Sequence, residues 1–446
     1  MDLTSRLRSI VRPPNSVPRE LTYEPDTGRY EATIDIDRVA DVLGGQVVTN
    51  RFGRALIVDR RYESDRFHGL RRVGDCDIAD GDTLRLLDPA LPPPDGAGSR
   101  TLYVDLETTG LSGGAGTVAF LVGCGWFDTG AFQVRQFLLT SYASERALLC
   151  AVAECFGATS LLVTYNGKTF DVPVMETRWL FHRMPLPLEA VRHFDMLHPA
   201  RRLWRAREGD AEGGCRLGTL ERVLCDVTRV GDIPGMDIPA RYFRFLRSGD
   251  AHPLEPVLEH NRLDLISLAA VCAHAVELVE EGSTRCRDAA EALALGKIYE
   301  RAGCVDKAIA AYQHAAADPS APIDVVLEAI YRLGLRLRRD RRFTEAADCW
   351  RRLLDVKQPR LRQGFGGQGR SKLLGPLRQY AVEALAIHHE HRERDYAGAK
   401  ELTLQLLGES DEASIRRKTE ATRHRLARLE KKIARKNDSH LFGGCA

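Results

Sequence analysis

Two acidic residues stand two positions apart at the end of an apolar run, in Asp105-Leu106-Glu107-Thr108-Thr109-Gly110. The preceding Leu102-Tyr103-Val104 favours a β-strand, and Thr-Thr-Gly is typical of a strand end. Residues i and i+2 of a strand point to the same face, so Asp105 and Glu107 would aim two carboxylates at one place. A partly buried pair needs a proton or a cation to neutralise it. The simplest cation is a hard divalent metal such as Mg²⁺ or Mn²⁺, which prefers oxygen ligands.

A third acidic residue follows a second apolar strand. Leu161-Leu162-Val163-Thr164-Tyr165 predicts this strand, and Asn166-Gly167 turns the chain after it. Asp171 then opens a predicted helix over 171–183. A residue in this position could simply cap the helix. Its place after a strand, downstream of the first acidic pair, also suits a metal ligand.

The fourth acidic residue lies in His260-Asn261-Arg262-Leu263-Asp264, within a helix predicted over 254–280. His260 and Asp264 are four positions apart and therefore share one face of that helix. A surface ion pair is one interpretation of this spacing. The apolar residues that follow predict a packed helix, in which a carboxylate needs a partner.

These four carboxylates could converge on two metal ions about 4 Å apart, as in two-metal nucleases. One ion would lower the pKa of a water molecule, and the other would stabilise the leaving 3′ oxygen. His260 could take the proton from the attacking water, because the ordinary pKa of histidine suits that task. The predicted catalytic residues are Asp105, Glu107, Asp171, His260 and Asp264.

The elements that must position these residues alternate between residues 100 and 282. Strands are predicted first in hairpin-like succession and later with helices between them, which favours a mixed sheet covered by helices. The predicted strands are 101–105, 117–123, 131–138, 160–165 and 192–195, and the predicted helices are 143–156, 171–183, 216–224 and 254–280.

Residues 1–99 predict a small β-rich region that ends in a Pro-rich linker, Pro92 to Gly98. The 446-residue chain is long enough for two or three domains, and its formal charge of +2 argues neither for nor against nucleic acid. Eleven cysteines without a C-x-x-C pair predict reduced thiols, and the first residues lack an apolar signal core. We therefore expect a soluble, cytoplasmic protein.

Residues 287–410 predict an all-helical region with an internal repeat. Leu295-Gly296 and Tyr312 recur 38 residues later as Leu333-Gly334 and Trp350. The tetratricopeptide pattern has small and aromatic residues at such positions, with a period of about 34. Another kind of helical hairpin array is the alternative. Residues 411–446 follow as a basic helix and tail, which could bind nucleic acid or an acidic partner, or could be a solvated terminal helix.

The ordered set Asp-x-Glu, Asn-x-x-x-Phe-Asp and His-x-x-x-Asp resembles the motifs of the DEDD exonuclease superfamily of RNase H-like folds. Leu217-Gly218-Thr219-Leu220-Glu221 and Gly231-Asp232-Ile233-Pro234-Gly235 are similar to segments of its YprB-like exonuclease-domain family. The resemblance covers residues 100–282. It implies an RNase H-like nuclease domain, followed in family members by tetratricopeptide-like repeats. One departure is that His260 has the spacing at which the superfamily more often places tyrosine.

The resemblance implies a 3′→5′ exonuclease that uses two Mg²⁺ or Mn²⁺ ions to hydrolyse single-stranded DNA or RNA. Its metal ligands would be Asp105, Glu107, Asp171 and Asp264, and its substrate contacts would be Thr108, Tyr165, Asn166 and Lys168. Lys168 could equally be a solvated turn lysine, and Asp195 could orient a helix. Two alternatives stay open: an interaction protein whose repeats bind a partner beside a minor nuclease domain, and an RNase H-like endonuclease. A membrane role is not expected.

Overall fold

The computed structural model describes residues 34–79, 81–94, 100–110, 116–189, 191–204, 215–356, 373–408 and 416–442. The last part of the predicted linker and the tail after 442 lie outside these ranges. Among the described helices, none is long and apolar enough to cross a membrane.

A seven-stranded mixed sheet forms the centre of the N-terminal two thirds of the chain. Its order is β1-β2-β7-β6-β5-β8-β9, antiparallel from β1 to β5 and parallel from β5 to β9. A separate hairpin, β3 and β4, joins Phe67–His68 to Arg71–Arg72. The sheet strands are β1 Gln46–Asn50, β2 Gly53–Tyr62, β5 Arg100–Thr108, β6 Ala119–Asp128, β7 Ala131–Leu138, β8 Thr159–Thr164 and β9 Arg192–Asp195.

Helices connect and cover these strands and then continue alone to the C-terminal end. In the sheet region they are α1 Ile36–Leu43, α2 Asp82–Leu87, α3 Glu145–Phe156, α4 Asp171–Phe181, α5 Leu197–Trp204, α6 Leu217–Cys225, α7 Ile238–Ser248 and α8 Glu255–Glu281. After the sheet they are α9 Ala289–Ala302, α10 Val305–Ala317, α11 Ile323–Arg339, α12 Phe343–Asp355, α13 Leu374–His388, α14 Tyr396–Gly408 and α15 Arg416–Phe442.

The predicted fold class is confirmed: a mixed sheet with flanking helices precedes an all-helical region. The predicted strands 131–138 and 192–195 coincide with β7 and β9. The N-terminal strands β1 and β2 do not form a sheet of their own, because β2 pairs with β7 over seven residues from Leu56 to Tyr62. Strands on both sides of the predicted boundary at residue 99 therefore belong to one sheet.

The two faces of β5 contribute to different parts of the core. Leu102, Val104 and Leu106 belong to one apolar cluster, whereas Tyr103 belongs to the other, with the buried residues of α8. Alternation along a strand places Asp105 and Glu107 on the Tyr103 face. The long helix α8 therefore lies over the face that presents the two carboxylates.

The C-terminal helices form successive antiparallel pairs, α9 with α10 and α11 with α12. Gly296 lies against the ring of Tyr312, where a Cβ would approach it to 2.5 Å, and Gly334 lies in the same way against Trp350. The sequence repeat thus corresponds to a repeated contact in which only glycine lets an aromatic ring reach the neighbouring helix backbone. The identification of these pairs as tetratricopeptide-like stays a prediction.

Candidate active site

The first acidic pair lies on the central strand β5, beside β6 and β8. Asp105 is directly opposite Gly123 of β6, and the register shifts between Glu107 and Thr108, where the strand ends. Both carboxylates are partly buried under α8. The position of the pair at the end of a central strand lets residues from the following loops and helices approach it.

A buried asparagine holds the first of these carboxylates. Asn261 of α8 is fully buried and donates through Nδ2 to the Oδ2 atom of Asp105, at 2.7 Å, and to its backbone oxygen at 3.2 Å. Its Oδ1 atom accepts a hydrogen bond of 2.8 Å from Gln136 of β7. A Cβ on Gly123 would stand 2.2 Å from Asn261 Oδ1, so glycine at this position makes room for the asparagine.

Asp171 is the first residue of α4 and is 5% exposed. It does not occupy the N-cap position, which belongs to Phe170. The backbone N–H group of Leu106 lies close enough to the Asp171 carboxylate to favour the ionised form, although burial outweighs this influence on its pKa. Because Leu106 lies between Asp105 and Glu107 on β5, this contact brings the third acid to the first pair.

The turn before α4 is fixed by Asp195, which is 1% exposed. Its carboxylate accepts hydrogen bonds from the backbone N–H groups of Asn166, Lys168 and Leu197, at 2.8, 3.0 and 3.1 Å. These bonds stabilise the turn in which Asn166 adopts a left-handed φ of 67°. Asp195 therefore orients the loop and the start of α5, as the sequence interpretation allowed.

The fourth acid, Asp264, lies on α8 one turn after His260. Arg229 donates to its Oδ1 atom at 2.5 Å, and His260 Nε2 lies 3.5 Å from its Oδ2 atom. The other ring nitrogen of His260, Nδ1, is 2.7 Å from the carboxylate of Asp232. An ionised carboxylate only accepts hydrogen bonds, so Nδ1 donates to Asp232 and Nε2 is the nitrogen that can gain or lose a proton.

Burial and mutual repulsion change the acidity of this group. Burial first, and then the nearby charges of Asp264, Glu107 and Asp171, raise the pKa of Asp105 well above its ordinary value. Burial and the charges of Asp264, Asp171 and Asp232 do the same to the pKa of Glu107. Burial raises the pKa of Asp171 to about 7. Burial is the main cause of these shifts, and repulsion between neighbouring carboxylates adds to it.

The chemistry of this group fits divalent cations. It offers only carboxylate oxygens, and Glu107 has no hydrogen-bond or ion-pair partner among the described residues. A bound cation would offset the repulsion that contributes to the raised pKa values of Asp105, Glu107 and Asp171. The ligands would be Asp105, Glu107, Asp171 and Asp264.

A tighter group of potential ligands lies elsewhere. Within the described ranges, only His389, Glu393 and Asp395 bring three donor atoms within 4.8 Å of one another. This second group follows α13, and its acids already have partners, since Glu393 pairs with Arg351 and Asp395 accepts from Gly398 N–H. The carboxylates of Asp105, Glu107, Asp171 and Asp264 do not meet this 4.8 Å limit in any set of three, so three of them would have to draw closer to bind a shared ion.

The residues predicted to contact substrate have other contacts in this structure. Lys168 Nζ donates to Asp88 at 2.9 Å, Tyr165 donates its hydroxyl to the backbone oxygen of Cys215, and Thr108 donates to Gly110 O at 2.9 Å. Asn166 Oδ1 accepts from Thr169 at 2.7 Å. Arg201-Arg202-Leu203-Trp204-Arg205-Ala206-Arg207 places arginines on both sides of a tryptophan, a pattern that suits nucleic-acid binding or one polar helix face, and its residues 205–207 lie outside the described ranges.

A cavity of about 500 Å³ opens beside Asp264 and His260. Its walls come from α6, from the loop after it and from α8, and they bring Arg222, Arg229 and Asp232 to the same opening. A pocket of this size beside the acids can accept part of a small or extended ligand.

Sequence reasoning assigned no role to Asn261, Gln136, Arg229 or Asp232. Asn261 and Asp232 stand inside segments that the family resemblance already marked, and this was the available signal. Arg229 bonds to Asp264, 35 residues later in the chain, and Gln136 bonds to Asn261, 125 residues later. No local sequence pattern predicts contacts over such separations.

Comparison with known proteins agrees with this arrangement. The family model described as RNase_H superfamily matches residues 102–276. The chain is also 32% identical over 338 residues to the Bacillus subtilis (strain 168) protein called uncharacterized protein YprB. This match covers 75% of the present chain and 76% of that protein.

The chain belongs to the same family as YprB, and its residues 102–276 form an RNase H superfamily domain. The matched residues include all four acids, His260 and the buried asparagine between them. The superfamily match supports a nuclease-type domain that acts on nucleic acid, and the YprB match extends beyond that domain, since it covers more of the chain than residues 102–276.

Proposed function

We propose that the protein is a metal-dependent 3′→5′ exonuclease that hydrolyses phosphodiester bonds in single-stranded DNA or RNA. Supporting the proposal, Asp105 and Glu107 are partly buried on β5, Asn261 of α8 is bonded to Asp105, and the charges of Asp171 and Asp264 contribute to the raised pKa of both carboxyls. The order of the three sequence motifs, from Asp105 to Asp264, supports an exonuclease of the DEDD type.

The four carboxylates would hold two Mg²⁺ or Mn²⁺ ions. When bound, such ions lower the pKa of a water molecule and stabilise negative charge on a leaving oxygen. Asn261 fixes Asp105 by a hydrogen bond to its carboxylate and another to its backbone, and so sets the direction of its free oxygen. Asn261 thus holds one of the ligands, Asp105, in position before substrate arrives.

His260 would accept the proton of the attacking water. Its hydrogen bond to Asp232 holds the ring by Nδ1 and leaves Nε2 on the side of Asp264. The imidazole is thereby presented in the tautomer that can act as a base. Asp232 has a positioning role, since it acts through its hydrogen bond to the histidine.

The helical pairs after residue 287 would be tetratricopeptide-like repeats that bind a protein partner, and the protein would act in the cytoplasm. The basic helix α15 packs against these pairs through Glu390, whose carboxylate accepts from Arg428 at 2.7 Å and from Lys432 at 2.9 Å. Part of its positive charge is therefore neutralised within the chain.

The function is tested with single strands of DNA and RNA labelled at the 5′ end, incubated with Mg²⁺ or Mn²⁺. We expect a ladder that shortens from the 3′ end, and no ladder in EDTA. Asp105→Asn should abolish cleavage, whereas Asp128→Asn, an exposed aspartate at the end of β6, should not change it. Cleavage that persists unchanged in Asp105→Asn would exclude this site.

Two further substrates separate the alternative functions. A circular single strand has no 3′ end, so its cleavage would indicate an endonuclease. A stable protein partner recovered together with no metal-dependent cleavage of any strand would favour an interaction protein.

A further inference from the structure

Arg229 occupies an unusual position between structural and candidate catalytic carboxylates. It comes from the loop after α6, and its side chain is only 9% exposed. It donates to both oxygens of Glu221, at 2.7 and 2.8 Å, and to Asp264 Oδ1 at 2.5 Å. The guanidinium of Arg229 thus links the buried carboxylate of Glu221 to Asp264, a candidate metal ligand.

Glu221 fixes this guanidinium from behind. Its side chain is 3% exposed, and it also accepts a hydrogen bond from Ser267 of α8. Ser267 in turn contacts His68 of the β3–β4 hairpin, with 2.8 Å between Oγ and Nε2. Arg229 is therefore a buried, multiply bonded cation and not a mobile surface side chain.

Arg229 is bonded to the carboxylate of Asp264, which a divalent cation would also bind. Asp264 Oδ1 faces the guanidinium, and its Oδ2 atom faces His260, so both oxygens have a partner in the described structure. A guanidinium and a metal ion repel each other and compete for one carboxylate.

We propose that Arg229 is a built-in counter-ion of Asp264 that a divalent cation must displace, and that it thereby lowers the affinity of the site for metal. The proposal rests on the metal site proposed above. It assigns a defined role to the loop between α6 and α7, which delivers both Arg229 and the positioning residue Asp232 to the candidate active site.

The test is Mn²⁺ binding to the full-length protein, measured by the electron paramagnetic resonance signal of free Mn²⁺ without nucleic acid. Arg229→Gln removes the cation. The double variant Glu221→Gln, Arg229→Gln also removes the buried negative charge, so that the protein keeps two amides able to bond each other. We expect both to bind Mn²⁺ at least about tenfold more tightly than the wild type at Asp264.

Arg222→Gln is the matched control, because Arg222 lines the same cavity but forms no ion pair within the described ranges. Its Mn²⁺ affinity should stay within about twofold of the wild type. Thermal melts show which variants are folded. If Arg229→Gln is unfolded, the double variant is used for the Mn²⁺ measurement in its place.

Different results contradict different parts of the reasoning. Wild-type affinity in both Arg229 variants, or an equal gain in Arg222→Gln, would overturn the role of Arg229 and leave the metal site standing. Mn²⁺ binding that Asp105→Asn and Asp264→Asn leave unchanged would refute the metal site itself.

Discussion

Replacing Asp171 by asparagine should stabilise the metal-free protein at pH 8 while it removes a metal ligand. The pKa of this carboxyl lies at about 7 in the folded protein, against an ordinary value of 3.8. A shift of about 3 units corresponds to roughly 4 kcal/mol. Because the folded pKa is raised, this free energy of unfolding is lost as the pH rises from about 4 to about 7.

The sign of the effect follows from which state holds the proton. At pH 5 the folded protein keeps the Asp171 proton that the unfolded chain has mostly released, so only about 1 to 2 kcal/mol is lost. At pH 8 both states are ionised and the full cost of a buried charge among other acids applies. Asp171→Asn removes this cost at pH 8 and has a smaller effect at pH 5.

The assay is thermal unfolding in EDTA between pH 5 and pH 8. Asp171→Asn should melt roughly 4 °C above the wild type at pH 8, and the difference should shrink towards pH 5. Mn²⁺ should raise the wild-type melting temperature at pH 8 far more than that of the variant. Asp128→Asn, which removes an exposed charge, is the control and should track the wild type. A wild-type melting temperature that does not fall between pH 5 and pH 8 would refute the reasoning.

Two further substitutions test the residues around the acids, and a third tests the docking of α15. Gly123→Ala puts a Cβ 2.2 Å from Asn261 Oδ1, and Asn261 is the buried asparagine that holds Asp105, so kcat in a cleavage assay should fall at least about tenfold. Gly235→Ala is the control, because its Cβ meets no atom within 4 Å, and its kcat should match that of the wild type. Asp232→Asn should lower kcat by about tenfold with KM unchanged, because His260 loses a charged partner, and an equal effect in a variant that already lacks the histidine would contradict this role. Glu390→Gln should weaken the docking of α15 and expose it to limited proteolysis, and an unchanged digestion pattern would count against that contact.

Much of the fold followed from local patterns in the sequence. Alternation along Leu102 to Glu107 correctly predicted a strand with two acids on one face, and the structure places that face under α8. The 38-residue repeat reappears as the Gly296–Tyr312 and Gly334–Trp350 contacts. Such features depend on the 2-residue period of a strand and on close helix packing, which adjacent residues disclose.

The surroundings of the acids could not be predicted in this way. Lys168 pairs with Asp88, 80 residues earlier in the chain, so a turn lysine that suggested a phosphate contact is an internal ion pair. Arg229 meets Asp264 only because the loop after α6 folds onto α8. The compact group at His389, Glu393 and Asp395 was likewise not predicted, because it depends on the helical turn after α13.

A crystal structure of the protein soaked with Mn²⁺, with anomalous scattering used to locate the ions, tests the central claim most directly. We expect anomalous peaks between Asp105, Glu107, Asp171 and Asp264, with Arg229 moved away from Asp264. Peaks confined to His389, Glu393 and Asp395, with none among the four acids, would contradict the proposed active site.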